Sequence, residues 1–144
     1  MNRMRVLSSS VIDASPFRVY GIFADYQHAH PQILPAKYFS KLELVHGGNG
    51  AGTRFKVSTR FMGQERMYEM EVTEPEPGRV LAERDTLTGL VTTFTVDPGP
   101  TPNQSNVTIA TEWESQGRVA GFLERFIHPS GYAENLSCRV TAVG

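Results

Sequence analysis

The feature that most limits what this chain can fold into is a succession of strand-length segments from residue 41 to residue 115, each closed by a turn signal. The clearest is TRFKVSTRF, in which Phe55, Val57, Thr59 and Phe61 alternate with Arg54, Lys56, Ser58 and Arg60. A period of two is expected of a strand with one buried face. KLELV precedes it, across the glycine-rich GGNGAG. After MGQ comes ERMYEMEVTE, which sets Tyr68, Met70 and Val72 opposite Met67, Glu69 and Glu71. PEPG makes the next turn. RVLAERDT and GLVTTFTV follow, linked at Leu87 to Gly89, and the proline-rich DPGPTPNQSN leads to VTIATEWES, with Val107, Ile109, Thr111 and Trp113 on one face. Six successive strands with hairpin-length links predict an antiparallel meander.

The flanks have a different rhythm. Arg5 to Ile12 predicts a first strand despite its three serines. Ser15 and Pro16 then read as N-cap and first helical residue, where a missing N–H costs nothing. Phe17, Val19, Tyr20, Ile22 and Phe23 give this helix a broad apolar surface, with Val19 and Phe23 on the inward side. Asp25 to Pro35 is short and bounded by prolines, and predicts a turn with a brief second helix. Past residue 115, Val119, Phe122, Leu123, Phe126 and Ile127 recur at helical spacing, continued by Ala133, Leu136 and Val140. They predict one long terminal helix kinked near Pro129, or two shorter ones. Each strand has one apolar face to cover, and the helices supply the cover. A curved sheet wrapped round a long helix would leave room inside if the inward residues are not all large.

With 144 residues, a formal net charge of −1 and scattered basic residues, the chain reads as one domain spanning 1–144, with no bulk attraction for nucleic acid or an anionic membrane. The single cysteine, Cys138, excludes an intrachain disulfide and a cysteine-based metal cluster; at a helical position it is expected to be a buried thiol. No apolar run reaches the length of a membrane span, and MNRMRVLSSSVIDAS has no apolar leader segment, so the cytoplasm is the expected compartment.

FADYQHAHPQILP carries two of the four histidines, His28 and His30. Residues two apart face different ways on a helix, and Pro31 argues against a strand. A zinc site would need a third ligand, so no metal is expected. A structural or solvent-facing role is expected for both histidines, with contact at a cavity mouth as the alternative for His30. Glu69, Glu71, Glu83, Arg84, Glu112 and Glu114 all lie on alternating segments and are expected on a solvated outer face, since an unpaired buried carboxylate is costly. Arg84 carries the most functional weight among them, because an inward arginine could bind a ligand carboxylate or phenolate. GGNGAG leads into a strand and lacks a lysine–serine ending, so it reads as a hairpin turn and not a phosphate loop. Ser8, Ser9 and Ser10 lack the elbow setting of a nucleophilic serine.

The order strand, two short helices, six strands, long helix resembles that of the helix-grip domains. That superfamily includes the START lipid-transfer domains, the pollen allergen and plant pathogenesis-related proteins, and the bacterial polyketide cyclase/dehydrase group. VIDASPFRVYGIFADYQHAHPQILP, GTRFKVSTRF, VTEPEPGRVLAE and GFLERFIHPSGYAENLSCRV carry the resemblance, which covers essentially the whole chain. It implies an α+β helix-grip fold: a curved seven-stranded antiparallel sheet, two short helices and a long C-terminal helix enclosing a cavity. It also implies a hydrophobic small molecule, such as a lipid or polyketide, as the partner. Phe55, Val57, Thr59, Tyr68, Met70, Arg84, Thr92, Phe94, Thr111, Trp113, Phe122 and Phe126 are the candidate ligand-binding residues. The alternative is a polyketide-type cyclase, dehydratase or aromatase, for which His30, Tyr26, Tyr68, Glu69 and Arg84 are the candidate acid–base groups. A protein-interaction module is the third reading, with a homodimer left open. No cofactor is expected.

Overall fold

The computed structural model describes residues 3–114. Its strands are β1 (Arg3–Ile12), β2 (Glu43–His46), β3 (Arg54–Phe61), β4 (Gln64–Glu76), β5 (Val80–Asp85), β6 (Val91–Pro98) and β7 (Ser105–Glu114). Helices α1 (Pro16–Ala24) and α2 (Ala29–Ile33) lie between β1 and β2. The expected terminal helix, its kink at Pro129, and Phe122, Phe126 and Cys138 fall outside the described residues.

All seven strands form one antiparallel sheet in the order β1-β7-β6-β5-β4-β3-β2. The meander is therefore as the turn signals imply, and β1 closes onto its last strand, with Arg3 opposite Glu114 and Ile12 opposite Ser105. In register, Phe55 faces Met70, Leu81 faces Phe94, and Phe94 faces Ile109. Directly opposed side chains share a face, so these residues form one continuous apolar inner surface. Strand β4 runs on to Glu76, through Pro75. The ladder with β5 shifts register between Thr73 and Glu76, where a residue without an N–H costs no ladder bond.

Ser15 caps α1, accepting a 3.4 Å bond from the amide of Arg18, with Pro16 at the start of the helix. Val19 and Phe23 are fully buried, and Phe23 packs on Phe94 with ring centroids 4.9 Å apart. Phe17 lies on the opposite side and is 92% exposed, so the apolar surface of α1 is narrower than its composition suggests. Asp25 ends α1 and starts α2: its carboxylate accepts from the amides of His28 and Ala29 at 3.1 and 3.4 Å. Helix α2 contains His30 and Pro31 despite the bias against helical geometry before proline. Pro31 sits in its first turn, where the absent N–H has no intrahelical acceptor to lose.

GGNGAG does more than reverse the chain. Gly48 O accepts from the Tyr26 amide at 2.9 Å, and the Gly50 amide donates to Ala24 O at 2.9 Å, so the β2–β3 loop clasps the corner between the helices. Glu74 of β4 completes the clasp, accepting from the Ala51 amide at 3.0 Å and from the Tyr20 hydroxyl at 2.6 Å. Gly50 has φ of +62°, and a Cβ there would come within 2.7 Å of the Glu74 carboxylate. The positive φ favours glycine, and any side chain there would also displace the Glu74 carboxylate from its clasp.

Candidate functional site

Between the inner sheet face and the helix corner lies a cavity of about 100 Å³. Among the described residues, Phe55, Val57, Tyr68, Met70, Glu83, Leu90, Thr92, Phe94, Ile109 and Thr111 line it, with His30, Leu34 and Phe39 from the corner. Its surface is mostly apolar, interrupted at a few defined points.

The main interruption is a buried cluster of Tyr26, His30 and Glu83. Tyr26 is fully buried, its ring stacked between His30 and Phe55 at centroid separations of 4.4 and 5.0 Å. Its hydroxyl donates to Glu83 Oε2 at 2.5 Å. His30 is 2% exposed; its Nδ1 donates to Phe23 O at 2.7 Å, which aims Nε2 at Glu83 Oε2, 3.6 Å away. The ring is boxed in by Phe94, edge-on at 5.8 Å. The tight α1–α2 corner is what turns His30 inward, since its amide bonds back to Asp25 O at 2.8 Å.

Burial raises the Glu83 carboxyl above its ordinary value, against the pull of His30 and the Tyr26 hydrogen bond. Burial, reinforced by the neighbouring Glu83, raises Tyr26 well above the ordinary phenol value. Tyr26 is therefore a donor at any ordinary pH.

A second polar point is the Thr92–Thr111 pair, with hydroxyl oxygens 2.9 Å apart. Thr92 lies directly opposite Glu83 in the ladder, and Thr111 directly opposite Thr92. Glu83, Thr92 and Thr111 thus form one row across three strands, all on the cavity wall. Tyr68 contributes to the wall too. Its hydroxyl is buried near that of Thr59, and among the described residues neither makes a well-formed hydrogen bond; burial raises Tyr68 above the ordinary phenol value, against the pull of Thr59.

Several sequence expectations change here. His28 is exposed, as one part of its expectation had it, whereas His30 is buried, bonded to Phe23 O and part of the cavity wall. Glu83, expected on the outer face, is 7% exposed and points inward. Arg84, weighed as an inward ligand-binding residue, is exposed on the opposite face of β5. Strand parity explains both: Leu81, Glu83 and Asp85 share the buried side, and Arg84 takes the other. Glu69 lies on the outer face, its carboxylate 3.5 Å from the Lys56 ammonium. Thr59 and Trp113 are buried but do not line the cavity. Asp85 is fully buried as a turn brace, accepting from the Glu69 amide at 3.0 Å and from the Thr88 amide and hydroxyl at 3.1 and 2.6 Å. Among the described residues, no three His, Cys, Asp or Glu side chains gather where they could hold a metal. No described helix is long and apolar enough to cross a membrane.

A seven-stranded antiparallel sheet with two short helices over an internal cavity places the chain in the α+β class. The pattern of the family described as polyketide cyclase/dehydrase and lipid transport matches residues 3–142, and the chain belongs to that family. Solved structures share the architecture. The KanY protein (ms6282) is 29% identical with a TM-score of 0.77, over 98% of this chain and 99% of that one. A START superfamily protein from Mycobacterium smegmatis is 16% identical with a TM-score of 0.76, over 97% and 99%. Norcoclaurine synthase from Thalictrum flavum, solved with dopamine and hydroxybenzaldehyde, is 16% identical with a TM-score of 0.71, over 99% and 86%. At these identities the last two speak for the fold alone. No curated protein matches the chain.

Proposed function

We propose that this protein binds a hydrophobic small molecule inside the cavity between the sheet and the helix corner. The observation that carries this is an internal space walled by Phe55, Val57, Met70, Leu90, Phe94 and Ile109 where an ordinary core would be filled. Binding there would desolvate an apolar ligand, with few polar groups to orient it. A lipid or a polyketide is the class the family suggests. At about 100 Å³, the space holds only a ring-sized part of such a molecule unless the walls move. Titration with toluene, followed by side-chain methyl and aromatic chemical shifts, tests the reading. Saturable shifts concentrated at Leu90, Ile109, Phe55 and Phe94 are expected. Their absence would refute internal binding.

A second reading, a cyclase- or dehydratase-like enzyme, draws support from the Tyr26–Glu83–His30 cluster. Glu83 and His30 stand 3.6 Å apart on the cavity wall, and general acid–base chemistry needs two such titratable groups within reach of the substrate. Tyr26 would be its positioning residue, since it holds Glu83 without lining the cavity.

A further inference from the structure

The polar atoms of the cavity wall are arranged to read one functional group. Glu83 Oε2 accepts from the Tyr26 hydroxyl and lies 3.6 Å from His30 Nε2, and among the described residues Oε1 receives no bond. Oε1 is thus the carboxyl oxygen left with lone pairs to meet a ligand. Thr92 and Thr111 hydrogen-bond to each other. Two hydroxyls use only one of their two protons in that bond, so one O–H of the pair is left to donate. Glu83 and Thr92 are directly opposed on adjacent strands, which sets their Cβ atoms about 5 Å apart on the same face. An acceptor and a spare donor therefore stand side by side on an apolar wall.

On the basis of the cavity-binding reading above, we infer that the Glu83–Thr92–Thr111 row is a hydroxyl-reading subsite, and that the ligand is an uncharged, ring-sized molecule carrying a hydroxyl, such as a phenol. A hydroxyl donates to Glu83 Oε1 and accepts from the threonine pair at once. A ketone or ether offers no donor, and a hydrocarbon satisfies neither group, leaving buried polar atoms unpaired at a cost. Charge narrows the class further. No lysine or arginine is among the described lining residues, and His30 already faces Glu83, so the described wall offers a carboxylate or phosphate group no counter-charge and favours an uncharged one. Size narrows it last: the space of about 100 Å³ is somewhat smaller than the cavity of about 150 Å³ that holds benzene. A single small ring is the probe this space calls for, with the described wall giving slightly to admit it.

Phenol and toluene have nearly the same shape and differ by a hydroxyl against a methyl. Each is titrated into the wild-type protein and into the Glu83→Gln and Thr92→Val variants, with affinities taken from chemical shifts. In Glu83→Gln the amide oxygen accepts from Tyr26 and the amide nitrogen replaces Oε1, turning the acceptor into a donor. Thr92→Val removes a hydroxyl at constant shape. Phenol binding about tenfold tighter than toluene in the wild type is expected, with the preference falling to about twofold or less in each variant that folds. Equal affinities in the wild type would overturn the subsite while leaving the cavity-binding reading intact. A phenol preference that survives both substitutions would place the hydroxyl elsewhere and also overturn it. If neither probe binds, the cavity-binding reading fails, and the subsite with it.

Discussion

Removing one oxygen from Tyr26 tests whether the buried cluster is held together as its geometry implies. In Tyr26→Phe the ring remains stacked between His30 and Phe55, so apolar packing is preserved and only the 2.5 Å bond to Glu83 is lost. A hydrogen bond to an ionised group contributes about 1.5–3 kcal/mol, whereas one between neutral groups contributes about 0.5–1.5 kcal/mol. Tyr26→Phe, which also strands a buried carboxyl oxygen, should therefore destabilise the protein by about 2 kcal/mol. At about 2–4 °C per kcal/mol for a chain approaching this size, the melting temperature should fall by about 4–8 °C. In a Glu83→Leu background the accepting group is already gone, so the same change should cost at least about 1 kcal/mol less. The assay is urea unfolding of the wild type, both single variants and the double variant, read as a double-mutant cycle. A Tyr26→Phe effect below about 0.5 kcal/mol, or a coupling indistinguishable from zero, would refute the account of the cluster.

Two further outcomes follow from the same geometry. Because burial raises the Glu83 carboxyl in the folded state, the native protein holds this proton more tightly than the unfolded chain, whose glutamate titrates near about 4.3. The Glu83 contribution is thus most favourable below that pH and declines as pH rises through the folded value, so the stability–pH curve of Glu83→Gln should be flatter than wild type above about pH 4.3; parallel curves would contradict it. Asp85→Ala should cost about 1.5–3 kcal/mol in urea unfolding, because it removes a fully buried carboxylate that accepts from the Glu69 and Thr88 amides and the Thr88 hydroxyl; a loss under about 0.5 kcal/mol would mean water replaces the carboxylate there.

Much of the cavity wall can be read from spacing. Phe55 and Val57 alternate with Arg54 and Lys56, and Tyr68 and Met70 with Glu69 and Glu71, so the charges declare the wet face and the inward set follows. Strand β5 offers no such contrast. Val80 and Ala82 are as apolar as Leu81, and the remaining three residues, Glu83, Arg84 and Asp85, are all charged, so parity alone leaves the inward side undecided. The useful signal was that Glu83 shares parity with Leu81 and Asp85, which would have coupled its fate to theirs. His30 was obscured in another way, since a histidine before a proline at a helix corner resembles a surface turn until the loop that clasps the corner is in place.

The local and periodic properties of this protein therefore lie in its sequence: the seven strands, their turns, the Ser15–Pro16 helix start and the alternation that separates wet from dry on β3 and β4. Those depend on interactions within a few residues, or on a repeat that a single strand displays alone. The tertiary structure alone decided that Glu83 is inside and Arg84 outside, and that Tyr26 and Glu83, 57 residues apart, share a hydrogen bond. A buried carboxylate is tolerable only where donors have already been brought to it, and no local pattern records donors that arrive from a distant helix.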